Sequence, residues 1–243
     1  MSGYQADLAY IHDVGFGGFA RDAAPGLLAI LQQRGIASGF VIDLGCGSGI
    51  WARALTDAGY KALGIDISAA MIALARQKAP RAHFQKASLL RVKLPNCDAV
   101  TSIGECLNYR FDEHGEAERR SFFARVLAAL RPGGVFVFDL LQPGAMRGGK
   151  PERIFSTGKD WAILVEKTEA GHRLTRTMTL FRQVGTLYRR STETHVVHLF
   201  RAADIARELR GVGFRVRILR GYGALKFRKA QVGFIATKPG GIR

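Results

Sequence analysis

The chain has 243 residues, 47% of them hydrophobic and 23% charged, the balance of a globular protein long enough to bury a substantial core as one large or two small domains. No apolar run approaches the roughly 18 residues of a membrane-spanning helix, the start lacks a basic signal-peptide region, and three cysteines without metal-ligand spacing argue against a disulfide framework or a zinc site, so the expected setting is cytoplasmic, without a metal or a membrane. The formal charge of +16 is uneven, with 17 basic and 13 acidic residues in 1–150 against 19 and 7 in 151–243, yet these are dispersed rather than gathered into the dense run of a nucleic-acid arm.

The first 40 residues read as helices. In "DAAPGLLAILQQRG", residues 22–35, apolar positions recur at helical spacing, with Pro25 near the start and Gly35 as a stop. Strand and helix then alternate. "FVIDLG" is a buried strand, "GIWARALTDAG" a helix ending at Gly59, "KALGIDI" a second strand, and "SAAMIALARQKA" a helix capped by Ser68 with Pro80 just beyond. "AHFQKAS" and "CDAVTSIG" give a third and fourth strand, residues 116–130 a helix, and "GGVFVFDLL" a fifth strand. Such alternation predicts an α/β fold whose mostly parallel sheet carries helices on both faces. After Pro143 the texture changes: "WAILVEKT", "RLTRTMTLFR" and "TLYRRSTETHVVHLF" alternate as antiparallel strands, with Gly171 and Gly185 as turns. "RAADIARELRGVG" restores a helix before the strands "FRVRILRGY" and "VGFIATKP".

The stretch "VIDLGCGSGIW", residues 41–51, runs a hydrophobic strand into alternating glycines and a helix, the opening of a nucleotide-binding α/β unit. The dinucleotide fingerprint starting at Gly45 requires glycine at position 50, which is Ile50. The spacing Gly45, Gly47, Gly49, with Asp43 just ahead, instead resembles motif I of the class I S-adenosylmethionine-dependent methyltransferases. "GIDIS" and "LRPGGVFVFDLL" follow in that family's order. The resemblance implies a Rossmann-like three-layer sandwich with seven strands, the last antiparallel, and S-adenosylmethionine as cofactor with S-adenosylhomocysteine as product. It implies that Gly45, Cys46, Gly47 and Gly49 pass under the methionine part, that Asp66 accepts the ribose hydroxyls, and that Ile67 packs on adenine. Where many relatives carry an aspartate after the third strand, this chain has Ser88 in "FQKASLLRV", which can still hydrogen-bond adenine. The stretch "YQADLAYIHDVGFGGFA" resembles the helical lid of small-molecule members, with Tyr4, Tyr10 and His12 as its polar groups, Tyr10 expected at the cofactor and His12 at the acceptor. The implied organisation is a lid over 1–40, a cofactor-binding core over 41–150, a β insertion shaping the acceptor site over 151–200, and the rest of the core over 201–243.

Methyl transfer from a sulfonium is an in-line displacement, so alignment and exclusion of water come first, and a base is needed only where the acceptor must lose a proton. Ligands bind beyond the carboxyl ends of such strands, which makes Glu105 and Asn108 in "TSIGECLNY" candidate contacts, Glu105 with a catalytic role. An Asn-Pro-Pro-Tyr motif is missing there, which counts against methylation of adenine N6 or protein glutamine. In "YRRSTETHVVHLF", alternation puts Glu193 and His195 on one face and His198 on the other. Their Glu-x-His pattern resembles that of several small-molecule members, so His195 is the candidate base, with Glu193 and Arg190 as acceptor contacts. The reading is a methyltransferase acting on the oxygen or nitrogen of a small molecule. Two alternatives stand beside it: an RNA methyltransferase using the basic C-terminal half, and a protein that binds the cofactor without turnover. An exposed β insertion is also compatible with a homodimer.

Overall fold

The computed structural model describes residues 3–109, 115–146 and 151–240. Two helices lead the chain, α1 (Ala6–Phe16) and α2 (Gly18–Gln33). α2 starts four residues earlier than its periodicity suggests, so Pro25 lies inside it rather than at its entry. A proline there removes one main-chain bond. Burial of Ala23, Ala24, Leu27 and Leu31 along the same helix offsets the loss.

The alternating segment follows as β1 (Phe40–Leu44), α3 (Ile50–Asp57), β2 (Lys61–Asp66), α4 (Ala69–Lys78), β3 (His83–Lys86), β4 (Cys97–Ser102), α5 (Glu116–Ala129) and β5 (Leu130–Leu141). Ser68 caps α4 by accepting from the Met71 N–H at 3.1 Å. Four more strands come next, β6 (Glu152–Thr157), β7 (Trp161–Ala170), β8 (Arg173–Val184) and β9 (Leu187–His198). The chain closes with α6 (Ala202–Val212), β10 (Arg215–Leu219), a short hairpin of β11 (Gly221–Tyr222) and β12 (Leu225–Lys226), and β13 (Gln231–Thr237).

Seven strands form the main sheet in the order β3-β2-β1-β4-β5-β13-β10. β1, β2, β3, β4 and β5 pair in parallel, whereas β13 is antiparallel to both β5 and β10. The Rossmann-like arrangement expected from the sequence, with its last strand reversed, is the one observed. Its strand order turns around between β1 and β4, which opens a crevice at their carboxyl ends.

Both faces of the central strands are buried, as the unbroken apolar run of β5 requires. Ile42, Val100, Phe136, Phe138 and Phe234 pack on α5 and α6, while Val41, Ala99, Val135, Val137 and Ile235 pack on the side of α2 and α3. The inserted strands make a separate antiparallel sheet in the order β6-β7-β8-β9. Its inner face shares a small core with α1, where Leu8 and Ile11 meet Trp161, Ile163, Met178 and Leu180. Helix α1 and the insert are therefore held to each other. No single helix among the described residues is long and apolar enough to cross a membrane.

Candidate active site

A cavity of about 450 Å³ opens over the carboxyl ends of β1, β2 and β4, roofed by α1 and the inner face of the inserted sheet. Its floor is mostly main chain. Gly45 has φ +75°, and a Cβ there would collide with the Cys106 thiol, so the turn after β1 excludes a side chain at that point. Gly49 has φ +80° and opens α3; a Cβ there would press on the backbone of Ala75 in α4. It serves helix packing and lies outside the cavity lining, which contains Gly45, Cys46 and Gly47.

Asp66 ends β2 with its carboxylate on the cavity. One oxygen accepts from the Gly47 N–H at 2.9 Å and the other from the Ser68 N–H at 2.8 Å. Burial pushes this carboxyl up, and main-chain hydrogen bonds from Ser68, Gly47 and Ile67 oppose the rise. Each oxygen keeps a further lone pair for a ligand hydroxyl. Asp43 lies at the floor within a buried chain in which the Trp51 indole donates to Thr101 and Thr101 donates to Asp43, both at 3.0 Å. Burial raises Asp43 to about 7. Ile67 and Ser88 line the same end of the cavity.

The loop after β4 is held from beneath by Asp139 of β5. Its carboxylate accepts from the N–H groups of Gly104 (2.9 Å) and Glu105 (3.0 Å), the Tyr222 hydroxyl (3.0 Å) and the Gln231 amide (2.9 Å). These bonds fix Glu105 in a left-handed conformation, φ +65°, with its side chain on the cavity. Asn108 is fully buried and spends its amide on backbone, accepting from the Leu141 N–H and donating to the Leu141 and His198 carbonyls. It ties the loop to β5 and β9 from outside the cavity lining.

The roof is built of side chains. Arg176 of β8 donates to Glu105 Oε2 at 2.8 Å and to the Tyr109 hydroxyl at 2.8 Å, and the Tyr4 and Tyr109 hydroxyls lie 3.1 Å apart. His12 on α1 faces the cavity with its ring edge-on to Tyr4, centroids 5.2 Å apart. Burial pushes this imidazole down to about 4; Arg176 and His195 add to the fall, and Asp13 opposes it. His12 is therefore neutral at physiological pH. Glu193 and His195 do share a face, joined at 3.1 Å, and both are buried one layer behind the lining. Glu193 also accepts from the Gln5 N–H at 3.0 Å, and the His195 ring lies 5.0 Å from Tyr4 and 5.7 Å from Tyr109. Arg190 is exposed on β9, away from the lining. Tyr10 points elsewhere too: its hydroxyl donates to Asp160 and Arg182 stacks on its ring, beside a second, shallower pocket.

The structure thus gathers Asp43, Gly45, Cys46, Gly47, Asp66, Ile67, Ser88, Glu105 and His12 around one cavity. Arg176, Lys167, Tyr109 and Asp139 were not singled out from the sequence. A signal for the first two exists: each is the one charge in an inward stripe, Leu174-Arg176-Met178-Leu180 and Trp161-Ile163-Val165-Lys167. Among the described residues no cluster of His, Cys, Asp or Glu is arranged to hold a metal ion.

A mostly parallel sheet of this order, with a glycine turn after its first strand, an acidic residue ending the second and a cavity over both, is a Rossmann-like arrangement. Comparison with known proteins agrees. Residues 41–134 match the methyltransferase domain family. The chain is 30% identical over 121 residues to a probable S-adenosylmethionine-dependent methyltransferase of Mycolicibacterium smegmatis, a match covering 49% of this chain and 41% of that one. Among solved structures, a S-adenosylmethionine-dependent methyltransferase from Clostridium acetobutylicum superposes with a TM-score of 0.81 at 17% identity, covering 96% of this chain and 98% of the other. The sugar N-methyltransferase KedS8 from Streptoalloteichus does so with a TM-score of 0.81 at 19% identity, covering 98% and 96%. Residues 41–134 are thus similar in sequence to a methyltransferase domain, and the chain as a whole shares the fold of S-adenosylmethionine-dependent methyltransferases, while it spans less than half the length of the curated Mycolicibacterium relative.

Proposed function

We propose that the protein transfers the methyl group of S-adenosylmethionine to an oxygen or nitrogen of a small-molecule acceptor. The observation that carries this reading is a single cavity with two unlike walls: a bare glycine turn with Asp66 on one side and a roof of polar and aliphatic side chains on the other. The residues present fit the cofactor. The turn at Gly45 and Gly47 has no side chain to obstruct the methionine part, Asp66 has lone pairs to spare for two ribose hydroxyls, and Ile67 and Ser88 flank the place for adenine. S-adenosylmethionine supplies the electrophilic methyl on its sulfonium sulfur.

The protein's own task is alignment and exclusion of water. Helix α1 and the inserted sheet, packed as one unit, cover the acceptor side, which gives residues 1–40 the role of a lid and 151–200 that of an acceptor wall. His12, kept neutral by its surroundings, offers a ring nitrogen to the hydrogen of the acceptor's nucleophile and so turns a lone pair toward the methyl. The buried Glu193–His195 pair holds the Tyr4 and Tyr109 rings in place and acts through them. A small molecule as acceptor is supported by the likeness to KedS8, a sugar N-methyltransferase. A cytoplasmic setting belongs to the same proposal.

The test is to incubate the protein with methyl-labelled S-adenosylmethionine and whole-cell extract, then separate a small-molecule filtrate, nucleic acid and protein, with Gly45→Leu as control. Label in the filtrate, absent with the control, is the expected result. Label in nuclease-sensitive RNA would replace the acceptor class. No label above the control, with cofactor binding intact, would favour a binding protein without turnover.

A further inference from the structure

Within the cavity roof, Lys167 of β7 and Arg176 of β8 are direct cross-strand partners, and both reach the lining. Their row continues to Glu152 on β6 and His195 on β9. Two like charges directly opposite each other weaken a sheet. These two are also set among Ile163, Val165 and Met178, where poor solvation strengthens every charge interaction.

The partners present leave donors to spare. A guanidinium has five N–H groups. Arg176 gives one to Glu105 and one to Tyr109, while its Nε is buried with no hydrogen-bond partner among the described residues. The ion pair of Lys167 with Glu152 spans 3.4 Å, and that carboxylate is 52% exposed, so water competes for it. The Glu105 carboxylate on Nη2 shows that the guanidinium takes a carboxylate in this setting.

We infer that Arg176 and Lys167 form an anion subsite on the acceptor side of the cavity, and that the methyl acceptor carries a carboxylate or phosphate group seated there. The inference rests on the methyltransferase reading for the word acceptor, but the subsite itself does not. Arginine offers a planar fork that matches two oxygens, and lysine adds a mobile point charge nearer the rim.

The test uses the full chain, with and without S-adenosylhomocysteine, titrated calorimetrically with sodium acetate, inorganic phosphate and acetamide at constant ionic strength. Saturable binding of acetate or phosphate with a Kd in the millimolar range, about 1–10 mM, is expected for so small a probe, with none for acetamide. Arg176→Lys keeps the charge, so the fold is retained, but loses the fork; it is expected to weaken binding about fivefold or more. Lys167→Met is expected to weaken it about two- to threefold, and neither variant to move S-adenosylhomocysteine affinity more than about twofold. Preference for acetate assigns a carboxylate acceptor and preference for phosphate a phosphate ester. The subsite is overturned if neither anion binds saturably, if acetamide binds as well as acetate, or if Arg176→Lys leaves anion affinity unchanged. Anion binding that persists while S-adenosylhomocysteine fails to bind supports the subsite and sinks the methyltransferase reading alone.

Discussion

The two walls of the cavity are made by different means. The floor is main chain plus two carboxylates, all supplied by residues 43 to 67 at the ends of β1 and β2. The roof is side chains from separate stretches: Tyr4 and α1, the loop after β4, and β6, β7 and β8 of the inserted sheet. The floor is anchored in the main core on both faces of the parallel sheet, whereas the roof stands on its own small cluster with α1. A glycine turn can bind only what fits bare backbone, so the floor is committed to one ligand. The roof can be rewritten residue by residue without disturbing that turn, and this is how one fold can keep a cofactor while changing its acceptor.

The sharpest way to break that division is to attack each part's packing. Phe138 is 0% exposed and stacked between Phe136 and Phe234, with ring centroids 4.4 and 4.8 Å away. Phe138→Ala is expected to cost about 3–5 kcal/mol in urea unfolding. Phe155, 68% exposed on the inserted sheet, is expected to change stability by no more than about 0.5 kcal/mol when replaced by alanine. Comparable costs at the two positions would mean that the insert is as integral to folding as the parallel core.

A smaller effect separates the walls by ligand. Asp66→Ala removes the carboxylate that holds the turn and, in the proposed reading, receives the ribose hydroxyls, so S-adenosylhomocysteine affinity is expected to fall about 100-fold, on the order of 2–3 kcal/mol. Calorimetry decides it. Unchanged affinity would refute the assignment of the floor to the cofactor.

Legibility in the sequence follows the same division. The floor's elements are local: strand, glycines and acid lie within 30 residues, so spacing alone exposes them. Gly49, expected at the cofactor from that spacing, lies outside the cavity lining and approaches Ala75, and its φ of +80° also favours glycine there. The inward stripe of β9 was readable from alternation, which put Glu193 and His195 on one face, as observed. Alternation does not tell which inward residues reach a cavity and which stop behind Tyr4 and Tyr109. Asp139 was invisible because its four donors come from three distant segments, the loop after β4, β11 and β13. The two-residue strands β11 and β12 carry too few alternating positions to announce themselves.

His12 stands where floor and roof meet, and its titration tests whether that junction is dry. Its imidazole falls to about 4 in the folded protein, against about 6.5 in an unfolded chain. Between those values the unfolded state binds more protons, so the stability tied to a neutral His12 is intact above about pH 6.5 and is lost progressively as pH falls toward 4. Asp43 and Asp139, raised by burial to about 7 and about 6, act in the opposite sense, taking stability away as pH rises from the ordinary carboxylate range to those values. Comparing wild type with His12→Gln at each pH cancels the two carboxyls and isolates the imidazole. Relative to the variant, the wild type is expected to lose about 1–2 kcal/mol between about pH 8 and pH 5, read from urea midpoints. A flat difference would mean that His12 is solvated as in the unfolded chain, and the roof would then lose its neutral hydrogen-bond acceptor while Asp66 and the glycine turn stayed as they are.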